Sequence, residues 1–553
     1  MPLLAAALTT LLALPAASAA PAVIPAARKE AAARINPARL RAHVKYLSSD
    51  LLEGRGPASR GDRLAEEYIA AQLEELGVQP GAPGGGWYQA VPLVEIVTQG
   101  PDTLTVTAGS KSLALRRGED FVARSGTQNP KAEVHDAEVV FAGYGILAPE
   151  YQWNDFKDAS VRGKVLLVMN NDPESDPKLF GGKTRLRYGR WMYKYEEAAR
   201  QGAAGVIIIH TTPSAAYPWQ VVQTSMAGPR YELPDEGSPT IQMKGWATEE
   251  ACRQIAALGG KDLDALRKAA ESRKFRPVPL GVRLSYAMTD TIRKTESANV
   301  IGVIPGRDPE LSKQAVVFTA HHDHLGVRPG AKAGNDAIYN GAIDNASGVA
   351  AVLSIAAAFS DLREPPRRSV YFALVAAEEQ GLLGSEYLAL HPPVPPGRIA
   401  ADINTDGLWI WGRTRDVSVI GLGKSSLDRE IAAIAAAQGR TVKPDLFPDK
   451  GTFYRSDQYN FAKIGVPSAY VKSGVDVIGK PEGWGREQSE LYTKNDYHQP
   501  SDEYRDAWDL SGAVEDVQLS FYLGAAVAEA PAMPEWTPGD EFEAARKKSL
   551  AQR

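Results

Sequence analysis

Between residues 299 and 376 the chain alternates short apolar runs with a helical segment, and this alternation constrains its fold more than any other feature. The runs at 300–304, 315–320 and 370–376 read as strands, and 346–359 as a helix. Strand, strand, helix, strand with short connections predicts an α/β fold, a mixed β-sheet flanked by helices. The residues richest in chemistry come directly after strands: His321-His322-Asp323-His324 follows 315–320, and Glu378-Glu379 follows 370–376. Ligands of open α/β sheets bind beyond the carboxyl ends of the strands, so a site is expected there.

At 553 residues the chain is too long for a single core, and three or four units are expected. A helical pattern carried by Leu64, Tyr68, Ala71, Leu73 and Leu76 stops at Gly77. Ahead of it, 50–56 reads as a glycine loop, and 87–97 as extended chain. From 132 to 277 the pattern becomes short strands at 138–144, 164–169 and 205–210 with a helix at 195–201, a compact β-rich or α/β insert. The expected organisation is a signal segment at 1–19, one domain split into 35–130 and 286–530, an insert at 131–285, and a tail at 531–553.

Composition narrows the chemistry. With 62 basic and 67 acidic residues the net charge is −5, which argues against a nucleic-acid binder. Cys252 is the only cysteine, so an intrachain disulfide and a cysteine-rich zinc site are excluded. Any metal must therefore use imidazoles and carboxylates. At the N-terminus an apolar run over 3–14 precedes Ala17-Ser18-Ala19, the pattern of a secretory signal, although no Lys or Arg comes before Arg28. A secreted or periplasmic protein without a membrane anchor is expected, since no later stretch reaches the ~20 apolar residues of a spanning helix.

The candidate site residues fall in four places: 321–324 with Asp344 downstream, Glu378-Glu379, Asn404-Thr405-Asp406, and Tyr497-His498 with Asp502 close behind. Together they offer enough imidazoles and carboxylates for two zinc ions. Strand alternation puts His321 and His322 on opposite sides, and spacing alone leaves His321, His322 and His324 open as the first ligand.

These motifs, with Asp344-Asn345-Ala346-Ser347-Gly348, Glu378-Glu379-Gln380-Gly381, Arg455-Ser456-Asp457 and Leu52-Glu53-Gly54-Arg55, resemble the co-catalytic dizinc aminopeptidases of peptidase clan MH. The likeness is to the exported bacterial branch with a protease-associated insert, a domain that 202–209 and 139–145 also resemble. It implies two Zn²⁺ ions, one held by His321 and Asp406, the other by Glu379 and His498, with Asp344 bridging. Two such ions, three carboxylates and one hydroxide would leave a neutral cluster. The resemblance further implies Glu378 as general base, Tyr497 as donor to the oxyanion, and Asp323 orienting His321. Arg455 and Asp457 would border the substrate pocket, and a cis peptide is expected at Asp344-Asn345. Peptides are the expected substrates, shortened from the N-terminus. A carboxypeptidase or dipeptidase on the same scaffold, and an inactive receptor-like protein, are the alternatives.

Overall fold

The computed structural model describes residues 21–552 apart from 177–178, 227, 329 and 331–334, so the expected signal segment at 1–19 lies outside the described residues. Its centre is a run of parallel strands. Ala315–His321 lies between Ser369–Val375 and Ile399–Asn404, and Ser468–Ser473 continues the sheet beyond Ile399–Asn404. Asp416–Ile420 runs antiparallel to Ser468–Ser473 on one side. On the other, the end of the long strand Val278–Ile304 runs antiparallel to Ser369–Val375. Ala315–His321 and Ile399–Asn404 are buried along their whole length, as expected of parallel strands covered on both faces.

The helix Ser347–Ser360 is buried except at its last residue, and its alanines let it lie close against this sheet. The helices Pro37–Leu47 and Ser511–Glu529 share its core, where the rings of Phe318, Phe359 and Phe521 meet with centroids 5.7 and 4.9 Å apart. Each buried phenylalanine contributes roughly 1.5–3 kcal/mol. Among the described residues, Ala342–Ser360 is the stretch long and apolar enough to cross a membrane, and its apolar window is entirely buried in this core.

A second body stacks Lys131–Phe141, Val165–Met169, Gly205–His210 and Met243–Thr248 as parallel neighbours, with Phe121–Ser125 antiparallel at the end. Alternation along Gly205–His210 sends Ile207 and Ile209 to one core, with the helix Glu249–Leu258. Val206 and Ile208 go to the other, with Trp191–Arg200. The first of these cores already includes Leu104, Val106 and Leu115, so it takes in chain well before residue 131, where the insert was expected to begin. The reason is pairing: Thr103–Ala108 adds to the long strand at Arg283–Ser285. That strand also runs without a break through the expected boundary at 285/286, joining Lys131–Phe141, then Tyr88–Gln99, then Ser369–Val375.

Some elements differ from the sequence reading. The helix expected at 195–201 starts earlier, at Trp191, and the strand expected at 138–144 spans Lys131–Phe141. The loop at 50–56 is a 3₁₀ turn, Asp50–Arg55, with Gly54 at φ +66°. A Cβ at Gly54 would sit 2.4 Å from the carbonyl oxygen of Gly326 and 2.6 Å from that of Tyr339, so only glycine fits there.

Candidate metal centre

Three parallel strands end side by side, and their ends carry the chemistry. His321 is the last residue of Ala315–His321. Glu378 opens a turn just after Ser369–Val375, and Asp406 stands two residues beyond Ile399–Asn404. Asp344 comes from the irregular segment before the helix Ser347–Ser360, and its peptide bond to Asn345 is cis. His498 follows the helix Trp484–Asn495 in a left-handed conformation, φ +57°.

These side chains meet around Asp344. Its Oδ1 lies 3.3 Å from Nε2 of His321, and its Oδ2 lies 3.2 Å from Nε2 of His498. His321 Nε2 is also 3.7 Å from Asp406 Oδ1, and His498 Nε2 is 3.1 Å from Glu379 Oε2. One carboxylate thus faces two imidazoles, each accompanied by a further carboxylate. Both Nε2 atoms are buried with no hydrogen-bond partner among the described residues. Two pairs of lone-pair donors sharing a bridging carboxylate suit two divalent cations, so the residues present fit the group. Glu378 Oε2 stands 3.9 Å from His321 Nε2, beside this set.

The protein fixes this arrangement from behind. His322 points to the other side of the strand, where Nδ1 is 3.3 Å from Asp62 Oδ1 and Nε2 is 3.1 Å from the Ala298 carbonyl. His324 Nδ1 contacts Glu379 Oε1 at 2.6 Å, which leaves Oε2 directed at His498. The Asp323 carboxylate, with Oδ1 3.7 Å from His321 Nδ1, accepts the backbone N–H groups of Glu378 and Glu379 at 2.9 and 3.3 Å. The His321 ring contacts Asp323 through the backbone carbonyl, 3.2 Å from Nδ1. Asp502 accepts the N–H groups of Ile343 and Asp344. Asn345 accepts from Gly348 and Gly407 and donates to the Thr405 carbonyl, locking the Asp344 and Asp406 loops together.

The electrostatics are those of a site built for cations. Burial would lower the His498 imidazolium, but Glu379 and Asp344 outweigh it and hold its pKa up at about 10. Burial likewise opposes charge on His321, yet Glu378 and the surrounding aspartates raise it well above the ordinary value. Glu379 is held down to about 2 because His498 and His324 overcome its burial. Glu378 goes the other way: burial lifts it well above the usual range, and Glu379, Asp457 and Asp406 add to this against His321. Protons or metal ions must offset this density of carboxylates, and metal uptake would displace the imidazole protons.

Two cavities open from the centre, both lined by Glu378, Arg455 and Tyr497. The first has an apolar and aromatic wall that includes Ile343, Leu408, Trp409 and Phe447. Tyr497 stacks on His498, ring centroids 4.0 Å apart, and its hydroxyl accepts from Arg455 at 3.2 Å. Arg455 therefore does border the cavities. Asp457 does not: it is fully buried and lines neither. Its place at the start of the helix Gln458–Lys463 turns it inward, and burial raises its pKa to about 7.

Sequence reasoning missed several contributors. Arg55, quoted only as part of a motif, is buried and donates to the carbonyls of Leu47, His322, Asn340 and Gly341. The second body, which supplies none of the expected ligands, lines the second cavity with Arg124, Arg190 and Arg230. No local spacing marks these arginines, because the fold brings them to the site from distant strands and loops.

Residues 299–522 match the model of peptidase family M28. Among solved structures, an aminopeptidase from Aneurinibacillus sp. strain AM-1 aligns with a TM-score of 0.52 at 18% identity, over 92% of this chain and 97% of that one. A peptidase M28 precursor from Shewanella amazonensis SB2B gives 0.49 at 17% identity, over 93% and 98%. A zinc aminopeptidase from Bacillus subtilis gives 0.42 at 18% identity, over 91% and 96%. The first of these shares the fold.

Proposed function

We propose that this chain, whose residues 299–522 match the model of peptidase family M28, is a dizinc aminopeptidase that removes N-terminal residues from peptides. The observation that carries this reading is the bridging position of Asp344, whose two oxygens face His321 and His498 at 3.3 and 3.2 Å. His321 and Asp406 would hold one ion and Glu379 and His498 the other. When bound, the two zinc ions supply Lewis acidity toward water and the scissile carbonyl.

The chain's own residues do the rest. Glu378, which no ligand role engages, accepts a proton from the attacking water and returns it to the leaving amine. Tyr497, with its hydroxyl fixed by Arg455, is placed to donate to the developing oxyanion. Asp323 keeps Glu378 and Glu379 in register by binding both backbone amides, so base and ligand keep separate directions. The apolar cavity beside Asp406 would take the N-terminal side chain. The reading extends to a protease-associated type of insert, supported by the helix-to-strand step from Trp191–Arg200 into Gly205–His210. It also extends to export, supported by the pattern over 1–19.

Hydrolysis of a leucyl peptide and of its N-acetylated form tests the proposal. The free amine should be cleaved and the acetylated peptide should resist. Cleavage from the C-terminus of the acetylated peptide would instead establish a carboxypeptidase.

A further inference from the structure

The second cavity has a charge character that the peptidase reading leaves unused. Arg124, Arg190, Arg230 and Arg455 all line it, and among the described residues its acidic lining consists of Glu378 and Glu379 of the candidate metal centre. Among the described residues, the Nε atoms of Arg124, Arg190 and Arg230 are buried without a hydrogen-bond partner, and Arg124 is only 7% exposed. Among the described residues, the carboxylate that acts on Arg124 and Arg230 is Glu232, and Lys244 Nζ already engages it at 2.7 Å. Burial, with Arg455 and Arg185 adding to it, depresses the pKa of Arg190 to about 9. Arg230 also donates to Gln380 Oε1 at 3.1 Å, which ties this cluster to the turn carrying Glu378 and Glu379.

The backbone adds to the field. Arg190 is the N-cap of the helix Trp191–Arg200, whose first turn contains no acidic residue and whose start has no side-chain cap. Trp191 and Met192, at that end, line the same cavity. Partly desolvated guanidiniums beside an uncapped helix N-terminus form a receptor for an anion, and arginine matches the planar, two-oxygen geometry of a carboxylate.

We propose that this arginine-lined cavity binds a carboxylate on the leaving part of the substrate, so that the protein selects peptides carrying a negative charge just beyond the scissile bond. This rests on the aminopeptidase reading, in which the apolar cavity takes the N-terminal side chain and the arginine cavity faces the leaving side. The carboxylate has two possible sources, the C-terminus of a short peptide and an acidic side chain. Either way, the second body is a specificity element rather than a passive cover.

The test uses the zinc-reconstituted full chain and two substrate pairs, Leu-Gly against Leu-Gly amide, and Leu-Glu amide against Leu-Gln amide. In at least one pair the charged member should have a kcat/KM about tenfold higher, equivalent to about 1.4 kcal/mol. The first pair reports a terminal carboxylate and the second an acidic side chain. In the double variant Arg190→Gln, Arg230→Gln the preference should fall to within twofold, and Arg190→Lys should keep part of it. Arg190→Lys also serves as the test should the double variant not fold. Equal rates within both pairs, or a preference that these variants leave unchanged, would overturn the proposal. Calorimetric titration of Leu-Gly and its amide into Glu378→Gln protein decides the pocket separately. If no peptide is cleaved but the acid binds more tightly through the arginines, the peptidase reading fails and the pocket stands. If peptides are cleaved with no difference in binding, the pocket fails alone.

Discussion

Replacing Arg55 with methionine should unfasten the metal centre without touching a ligand. Its guanidinium is buried and bonds to the carbonyls of His322 at 2.8 Å, Asn340 at 2.7 Å and Gly341 at 3.0 Å, with a further bond to Leu47. It thereby pins the loop after His321 to the loop before Asp344. A hydrogen bond from a charged group contributes about 1.5–3 kcal/mol, and each carbonyl left buried without a partner costs about 1–3 kcal/mol. Against this, burial depresses the arginine's pKa to about 10, with Asp323 and Asp502 opposing, so removing the charge recovers part of its desolvation cost. The net expected loss is about 4 kcal/mol, within the range for removing one partner of a buried charged network. Thermal and urea unfolding of Arg55→Met and Arg55→Lys measure it. Lysine keeps the charge but lacks the fork that reaches several carbonyls, so it should recover less than half of the loss. A destabilisation below about 1 kcal/mol for Arg55→Met would refute the idea that this residue fastens the two loops.

Other outcomes follow from the same geometry. Glu378→Gln should lower kcat by roughly 10²–10⁴-fold while zinc content stays unchanged, because the residue moves protons and holds no ion; elemental analysis beside a leucyl-nitroanilide assay checks both halves. His43, which is not among the candidate ligands, provides a further pH dependence. It is buried against Tyr68, with Nδ1 2.9 Å from the hydroxyl, and burial lowers its pKa from 6.5 to about 4, with Arg39 adding to the effect. Between those values the unfolded chain binds a proton that the folded state refuses, so its share of stability is complete above 6.5 and declines toward 4 by roughly 3 kcal/mol. Urea midpoints over that range should fall more steeply for the parent than for His43→Gln, and parallel profiles would count against this assignment.

How much of this could be read beforehand depended on where the determining contacts lie. Gly205–His210 was legible to the residue because an unbroken apolar run after glycine can be little else than a buried strand. Lys131–Phe141 was only half visible: its first residues alternate lysine, glutamate and histidine with small apolar ones, and its pattern became clear only where both faces are buried. Of the long strand Val278–Ile304 only 300–304 was legible, because its middle, around Arg293-Lys294-Thr295-Glu296, is polar and is held by pairing with Tyr88–Gln99.

At the site, residues following strands were visible through their types, and parallel pairing brings His321, Glu378 and Asp406 to neighbouring strand ends. Strand alternation already set His321 and His322 on opposite sides, but which of them faces Asp344 required the fold, since only the structure shows Asp62 beside His322. Asp457 is buried and lines neither cavity, and a loop acid near a site looks the same in sequence whether it faces the cavity or the core. The arginines of the second body had no local signature at all.

The most direct measurement of the central claim is the metal content of purified protein, by elemental analysis before and after chelation, alongside leucyl-nitroanilide hydrolysis. Two zinc ions per chain are expected, with activity lost on stripping and regained on reconstitution, and His321→Ala and His498→Ala should each reduce the ratio. Fully active protein containing no stoichiometric divalent metal would contradict the account.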